Sequence, residues 1–253
     1  MIQKILLASG NLFFRVRNSL FPVIFIGLFL FTRPAHFLGN EFLDKFIVTL
    51  GVITALAGQC FRLSVIGFAY IKRGGREGRV YADDLVIEGF YAHTRNPMYV
   101  ANYLLTVGLG LMYGSPWVYF FVIPFFSFVY LSIVVAEENF LRSKFGADYD
   151  EYCRKVNRFV PNFSGLKESL KKFSYDWKKV IRKEYGTLFG TLFALDFIPL
   201  WKAWHIYGFT EKKTEILVRL LLLVPGALAY FGVRKLKKSG KLHTEEPSVE
   251  KPS

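Results

Sequence analysis

An all-α, polytopic membrane fold of about six transmembrane helices is what this sequence predicts, and three observations carry that reading. Of its 253 residues, 52% are hydrophobic and 18% aromatic, with a mean hydropathy of +0.28. The apolar residues gather in runs about as long as the ~20 residues that a bilayer core requires. Lysine and arginine concentrate in alternate connections between those runs, the asymmetry that orients membrane helices. A formal net charge of +13 would point a soluble chain toward nucleic acid. Here no basic, aromatic-studded soluble module is visible, and the excess marks loops that face anionic headgroups.

Taken in order, residues 1–19 set Lys4, Arg15 and Arg17 among Leu and Phe and read as an interfacial amphipathic segment. No cleavable signal is expected there, because the apolar piece is short and no small-residue cleavage site follows. Residues 20–37 and 46–71 are the first two apolar runs, followed by a basic, glycine-rich turn at 72–79. Residues 98–113 and 116–136 form a third and fourth run joined by the uncharged turn Gly114-Ser115. A long polar region covers 137–184, then 185–201 and 216–233 make a fifth and sixth run. The polar tail from Lys235 is expected to be disordered. With the basic connections after the second, fourth and sixth runs on one side, both termini fall in the cytoplasm. Cys60 and Cys153 lie at different depths and are expected to be reduced thiols. The chain divides into membrane helices and basic loop at 1–84, a core at 85–161, a linker with two C-terminal helices at 162–234, and the tail at 235–253.

Three polar constellations share the cytoplasmic side. The first is the turn from Gly89 to Pro97, which holds Tyr91, His93, Arg95 and Asn96. Asn96 before a proline is biased away from helix, and Pro97 suits the first turn of the next one. The unpaired amides of that helix start, with Arg95 beside them, can receive an anion. The plain alternative is an arginine snorkelling to the membrane boundary. The second constellation is Glu137-Glu138, at the expected cytoplasmic end of the fourth run. Adjacent helix positions point about 100° apart, so the two acids serve different partners. Glu138 and Arg142 stand at i, i+4, and a surface pair is the plain reading. The third is Phe145-Gly146 followed by Tyr149, Tyr152, Val156, Arg158 and Pro161, in which the two tyrosines either wall a flat ring or belong to the core.

The order of these pieces, R-x-P-x-Y, two spans, E-E-x-x-L, F-G-x-x-Y-x-x-Y and V-x-R-x-x-P, resembles the isoprenylcysteine carboxyl methyltransferase and phospholipid methyltransferase family of integral membrane enzymes. The resemblance covers residues 85–161, under a third of the chain. It implies S-adenosylmethionine bound without a Rossmann domain, between helix ends and the cytoplasmic segment. It implies Glu138, Arg95 and Arg158 at the reacting centre. Around the cofactor it implies Tyr91, His93, Arg95, Asn96, Pro97, Tyr99, Glu137, Glu138, Tyr149 and Tyr152. Three positions depart from the family pattern. Phe90 stands for its proline, Ala92 for its arginine and Asn96 for its histidine, and His93 is a substitute for the lost cation. The resemblance also implies a lipid or lipid-like acceptor: a phospholipid amine, a prenylated carboxylate or a small hydrophobic nucleophile. For an amine, Glu137 or Glu138 is the candidate base. Methyl transfer needs alignment and a desolvated nucleophile more than acid-base groups, and no metal cluster is read.

Two alternatives stand beside this. Membrane sterol reductases, which use a nicotinamide, share the F-G-x-x-Y-x-x-Y-C-x-x-V-x-R-x-x-P segment, Cys153 included; a non-catalytic scaffold would account for Ala92 and Asn96. Arg62 and Asp196 lie within apolar runs, where charge is costly. Arg62 is expected to face the bundle interior and Asp196 to pair with a neighbouring helix.

Overall fold

The computed structural model describes residues 1–68, 73–76 and 79–241. α1 (Ile2–Phe31) joins the amphipathic N-terminal segment to the first apolar run. Its parts Ile2–Arg17 and Pro22–Phe31 meet at 84°; Pro22 lacks the N–H that would continue the ladder. α2 (Glu41–Phe68) holds the second run. Within the basic segment β1 (Arg73–Arg76) and β2 (Arg79–Ala82) pair antiparallel, with Arg76 opposite Arg79. That is the one departure from an all-α chain among the described residues. Residues 69–72 and 77–78 of the run end and turn lie outside them, as do residues 242–253 of the tail.

α3 (Pro97–Tyr113) begins on Pro97 and stops at Gly114, whose φ of 73° only glycine adopts cheaply. A π-helical turn at Val118–Val122 leads into α4 (Ile123–Phe145). α5 (Ala147–Lys155), α6 (Leu166–Leu170) and α7 (Trp177–Lys238) follow. α2 and α3 pack backbone to backbone: a Cβ added at Gly108 would lie 2.4 Å from the Ala55 nitrogen and 2.6 Å from the Gly51 carbonyl oxygen. Such small-residue contact is how helices associate where lipid removes the hydrophobic drive.

The chain is an integral membrane protein, and the length and hydropathy of its helices do not establish the count of six spans. Among the described residues three helices qualify, Glu41–Phe68, Val118–Phe145 and Trp177–Lys238, with bent α1 as a fourth. α3, at 17 residues, reaches ~26 Å against a hydrocarbon core of ~30 Å. The fifth and sixth runs are two arms of α7, which breaks at Gly208 (φ 78°, ψ 167°) and Lys212. The arms fold against each other: Tyr185 stacks on Tyr230 at 5.4 Å, and Asp196 pairs with Arg219 at 3.4 Å. Asp196 thus answers the neighbouring arm of its own helix. The tail begins later than expected, because Lys235 to Lys238 still belong to α7.

Candidate active site

Gly89 opens a short 3₁₀ turn at Gly89–Ala92 with φ 60°, and the loop that follows reaches α4 through Asn96 and Glu138. The segment after α5 runs alongside this turn. Arg95 N donates to the Asn157 carbonyl at 2.9 Å, and Asn162 N to the His93 carbonyl at 2.9 Å. Two loops without regular structure of their own therefore satisfy each other's backbone.

Glu138 is the hub beneath them, 2% exposed. Its carboxylate accepts from Arg158 Nη2 at 2.8 Å and Nε at 3.0 Å and from Asn96 Nδ2 at 3.1 Å, and it lies 3.2 Å from Arg95 Nε. Arg95 Nη1 continues to the Cys153 carbonyl at 3.1 Å. The three positions assigned to the reacting centre, Glu138, Arg95 and Arg158, are thus one ion cluster. The expected Glu138 and Arg142 pair is not formed; Arg142 bonds Asp150 at 2.7 Å instead. Nor do the acids end a helix, since α4 continues to Phe145 and places them before the last turn, where a carboxylate would oppose the helix dipole.

Glu137, one position earlier, turns toward a cavity of about 850 Å³ and accepts from the Tyr99 hydroxyl at 2.5 Å. Arg17 of α1 donates to the same hydroxyl at 3.4 Å. The polar end of the cavity also carries Tyr91, Arg95, Asn96 and Asn102, and its apolar arm runs between α1 and α7 along Pro22, Phe25, Leu109 and Phe197. Arg62 does face the bundle interior: it lines the cavity, bonds Asn102, and pairs with Glu184 of α7 through Nη2 at 2.8 Å and Nε at 2.9 Å.

Of the remaining expected residues, Pro97 is fully buried as the first residue of α3. His93 points away from the cavity, bonding the Asn162 carbonyl and, at 2.9 Å, Ser169 Oγ. Tyr149 and Tyr152 do not line the cavity. They pack with Leu141 and Ala82, and Tyr152 donates to the Tyr91 carbonyl at 2.6 Å, so they brace the turn from behind. Cys60 and Cys153 are both free thiols. On the outer face of α5 the Lys155 ammonium holds the Glu151 carboxyl below the usual carboxylate range. Sequence reasoning missed Arg17, Asn102, Glu184, Lys179 and Lys183. Lys179 and Lys183 sit on α7 four residues apart, a face signal visible only once α7 is known to wall the cavity, and Glu184, one position on, turns to Arg62.

Residues 46–148 match the Phospholipid methyltransferase family, in line with the resemblance read from the motif order. The chain is similar to the protein-S-isoprenylcysteine O-methyltransferase of Schizosaccharomyces pombe, 27% identical over 171 residues, 63% of this chain and 63% of that one. It is also similar to the cobalt-zinc-cadmium resistance protein CzcN of Cupriavidus metallidurans, 36% identical over 125 residues, 49% of this chain and 54% of that one. The nickel-cobalt-cadmium resistance protein NccN of Alcaligenes xylosoxydans is 32% identical over 81 residues, 32% of this chain and 38% of that protein. The chain spans less than two thirds of the length of each of these relatives. No solved structure matches it.

Proposed function

We propose that this protein is a membrane-embedded methyltransferase that uses S-adenosylmethionine to O-methylate the carboxylate of a lipid-like acceptor at the cytoplasmic face. The observation that carries the reading is the cavity itself: a polar end at Arg95, Asn96, Tyr99 and Glu137 continues into an apolar arm between α1 and α7.

The residues present fit the cofactor. Both donor positions of the Asn96 amide are committed to acceptors, Glu138 and the Arg158 carbonyl at 3.2 Å, while Asn96 Oδ1 is buried without a hydrogen-bond partner among the described residues. A buried orphan acceptor is costly unless a donor reaches it, and the ammonium and ribose hydroxyls of the cofactor are such donors. Glu137 suits the same groups, and Arg95 with the helix start suits the cofactor carboxylate. When bound, S-adenosylmethionine supplies a methyl group on a sulfonium sulfur, which leaves as a neutral thioether when the acceptor forms its bond to carbon.

The chain's own residues favour an acid over an amine. An amine must lose a proton, yet Glu137 is capped by Tyr99, Glu138 is held by Arg95, Arg158 and Asn96, and His93 faces elsewhere. A carboxylate has no proton to lose and needs only desolvation and alignment. Arg17, Lys179 and Lys183 line the cavity and attract it. The O-methyltransferase name of the fission-yeast relative supports the same choice.

The test is calorimetric binding of S-adenosylhomocysteine to detergent-purified protein, followed by transfer of labelled methyl to long-chain acids and to long-chain amines. Saturable binding with transfer to acids is expected. Absence of binding by folded protein sinks the methyltransferase reading, and transfer to amines alone sinks the acid acceptor.

A further inference from the structure

We propose that one face of α7 selects the acceptor by the length and shape of its tail, and that this tail belongs to a long-chain carboxylic acid; the proposal rests on the methyl-transfer reading above. Lys179, Lys183, Thr187, Gly190, Ala194 and Phe197 all line the cavity. Their spacing of three and four residues keeps them on one stripe of the helix. The stripe is graded along its length, two cations at the mouth, then small residues, then an aromatic. At ~1.5 Å per residue it extends ~27 Å.

Its far end is closed. Phe29 of α1 meets Phe197 edge-on at 5.3 Å and Trp201 at 5.6 Å. Its middle is open: a Cβ added at Gly190 would meet nothing within 4 Å. α7 is also tied to α2 at three depths. Glu184 pairs with Arg62 at 2.8 Å, Thr191 donates to Gln59 at 2.8 Å, and Lys202 reaches Asp44 at 2.5 Å. Rotation of α7 would break all three, so the graded stripe is held toward the cavity.

Charge complementarity chooses the occupant. Arg17, Lys179 and Lys183 line the cavity, so an acidic head is drawn to the end where the cofactor groups converge, and an apolar tail is left along Gly190 and Ala194 toward Phe197. Gly190 then gives the tail its room and Phe197 with Phe29 stops it. α1 and α7 both lie outside residues 46–148, so the tail is selected by helices outside the family-matched segment.

The experiment is calorimetric binding of octanoic, stearic and behenic acids to the full chain in nanodiscs saturated with S-adenosylhomocysteine. Gly190→Leu is expected to weaken stearate by about tenfold or more, as overpacking does, with octanoate and S-adenosylhomocysteine affinities unchanged. Phe197→Ala is expected to act in the opposite sense, improving behenate relative to stearate. Equal loss of both shorter acids in Gly190→Leu, no loss of either, or the same direction of change in Phe197→Ala would overturn the proposal. If Gly190→Leu does not fold, Gly190→Ala and Phe197→Ala carry the same criterion. Binding of S-adenosylhomocysteine to the unaltered protein is independent of tail selection, so its absence marks failure of the methyltransferase reading instead. Oleylamine bound as tightly as stearate would remove the acid head and overturn the proposal while methyl transfer stood.

Discussion

Arg62 of α2 and Glu184 of α7 face each other through two hydrogen bonds of 2.9 and 2.8 Å, 122 residues apart in the chain. The pair joins a helix inside the family-matched segment to one outside it. It also fixes the wall of the cavity.

Removing one member leaves the other charged and buried, which typically costs about 3–5 kcal/mol. Glu184→Ala is therefore expected to lower the thermal midpoint of the protein in detergent by many degrees. Arg62→Met combined with Glu184→Leu should recover most of the loss, since replacing a buried pair by apolar groups is often neutral. A double variant no more stable than Glu184→Ala would refute the account.

At the ion cluster, Glu138→Gln keeps the shape but exchanges a carboxylate that serves Arg95, Arg158 and Asn96 for a neutral amide. Charge-assisted bonds are worth about 1.5–3 kcal/mol each, so S-adenosylhomocysteine affinity should fall by about tenfold or more as the loops separate. Titration calorimetry reads this directly, and limited proteolysis near Asn157 should quicken alongside it.

Tyr99→Phe removes the 2.5 Å bond to Glu137 and the contact to Arg17. The fold should be little affected, because the ring still packs near Tyr130. Cofactor binding should weaken by about tenfold. Unchanged affinity would show that Glu137 is held without the hydroxyl.

Two glycines offer a contrast that separates packing from function. Gly108→Ala drives a methyl toward the Ala55 backbone, which cannot yield as a side chain can, and overpacking of this kind costs about 1–3 kcal/mol. Gly190→Ala meets open space and should be neutral or slightly stabilising in a thermal melt, since alanine favours helix over glycine by about 1 kcal/mol.

Hydropathy, the Gly114-Ser115 turn, Pro97 at a helix start and the divergence of Glu137 from Glu138 were legible in the residues alone. Each is a property of neighbours in the chain: burial in lipid, a fixed φ, a 100° step. The pairing of β1 with β2, the single broken α7 and the partner of Arg142 were not. They depend on which of several local partners wins once distant segments dock. His93, Tyr149 and Tyr152 show the same limit, since all three sit in the motif region and yet face away from the cavity. Sequence order names the residue types a pocket uses. Which of them turn inward follows from the packing of α1, α3, α4 and α7, where a rotation of one helical position moves a side chain by 100° and exchanges a ligand contact for a core contact.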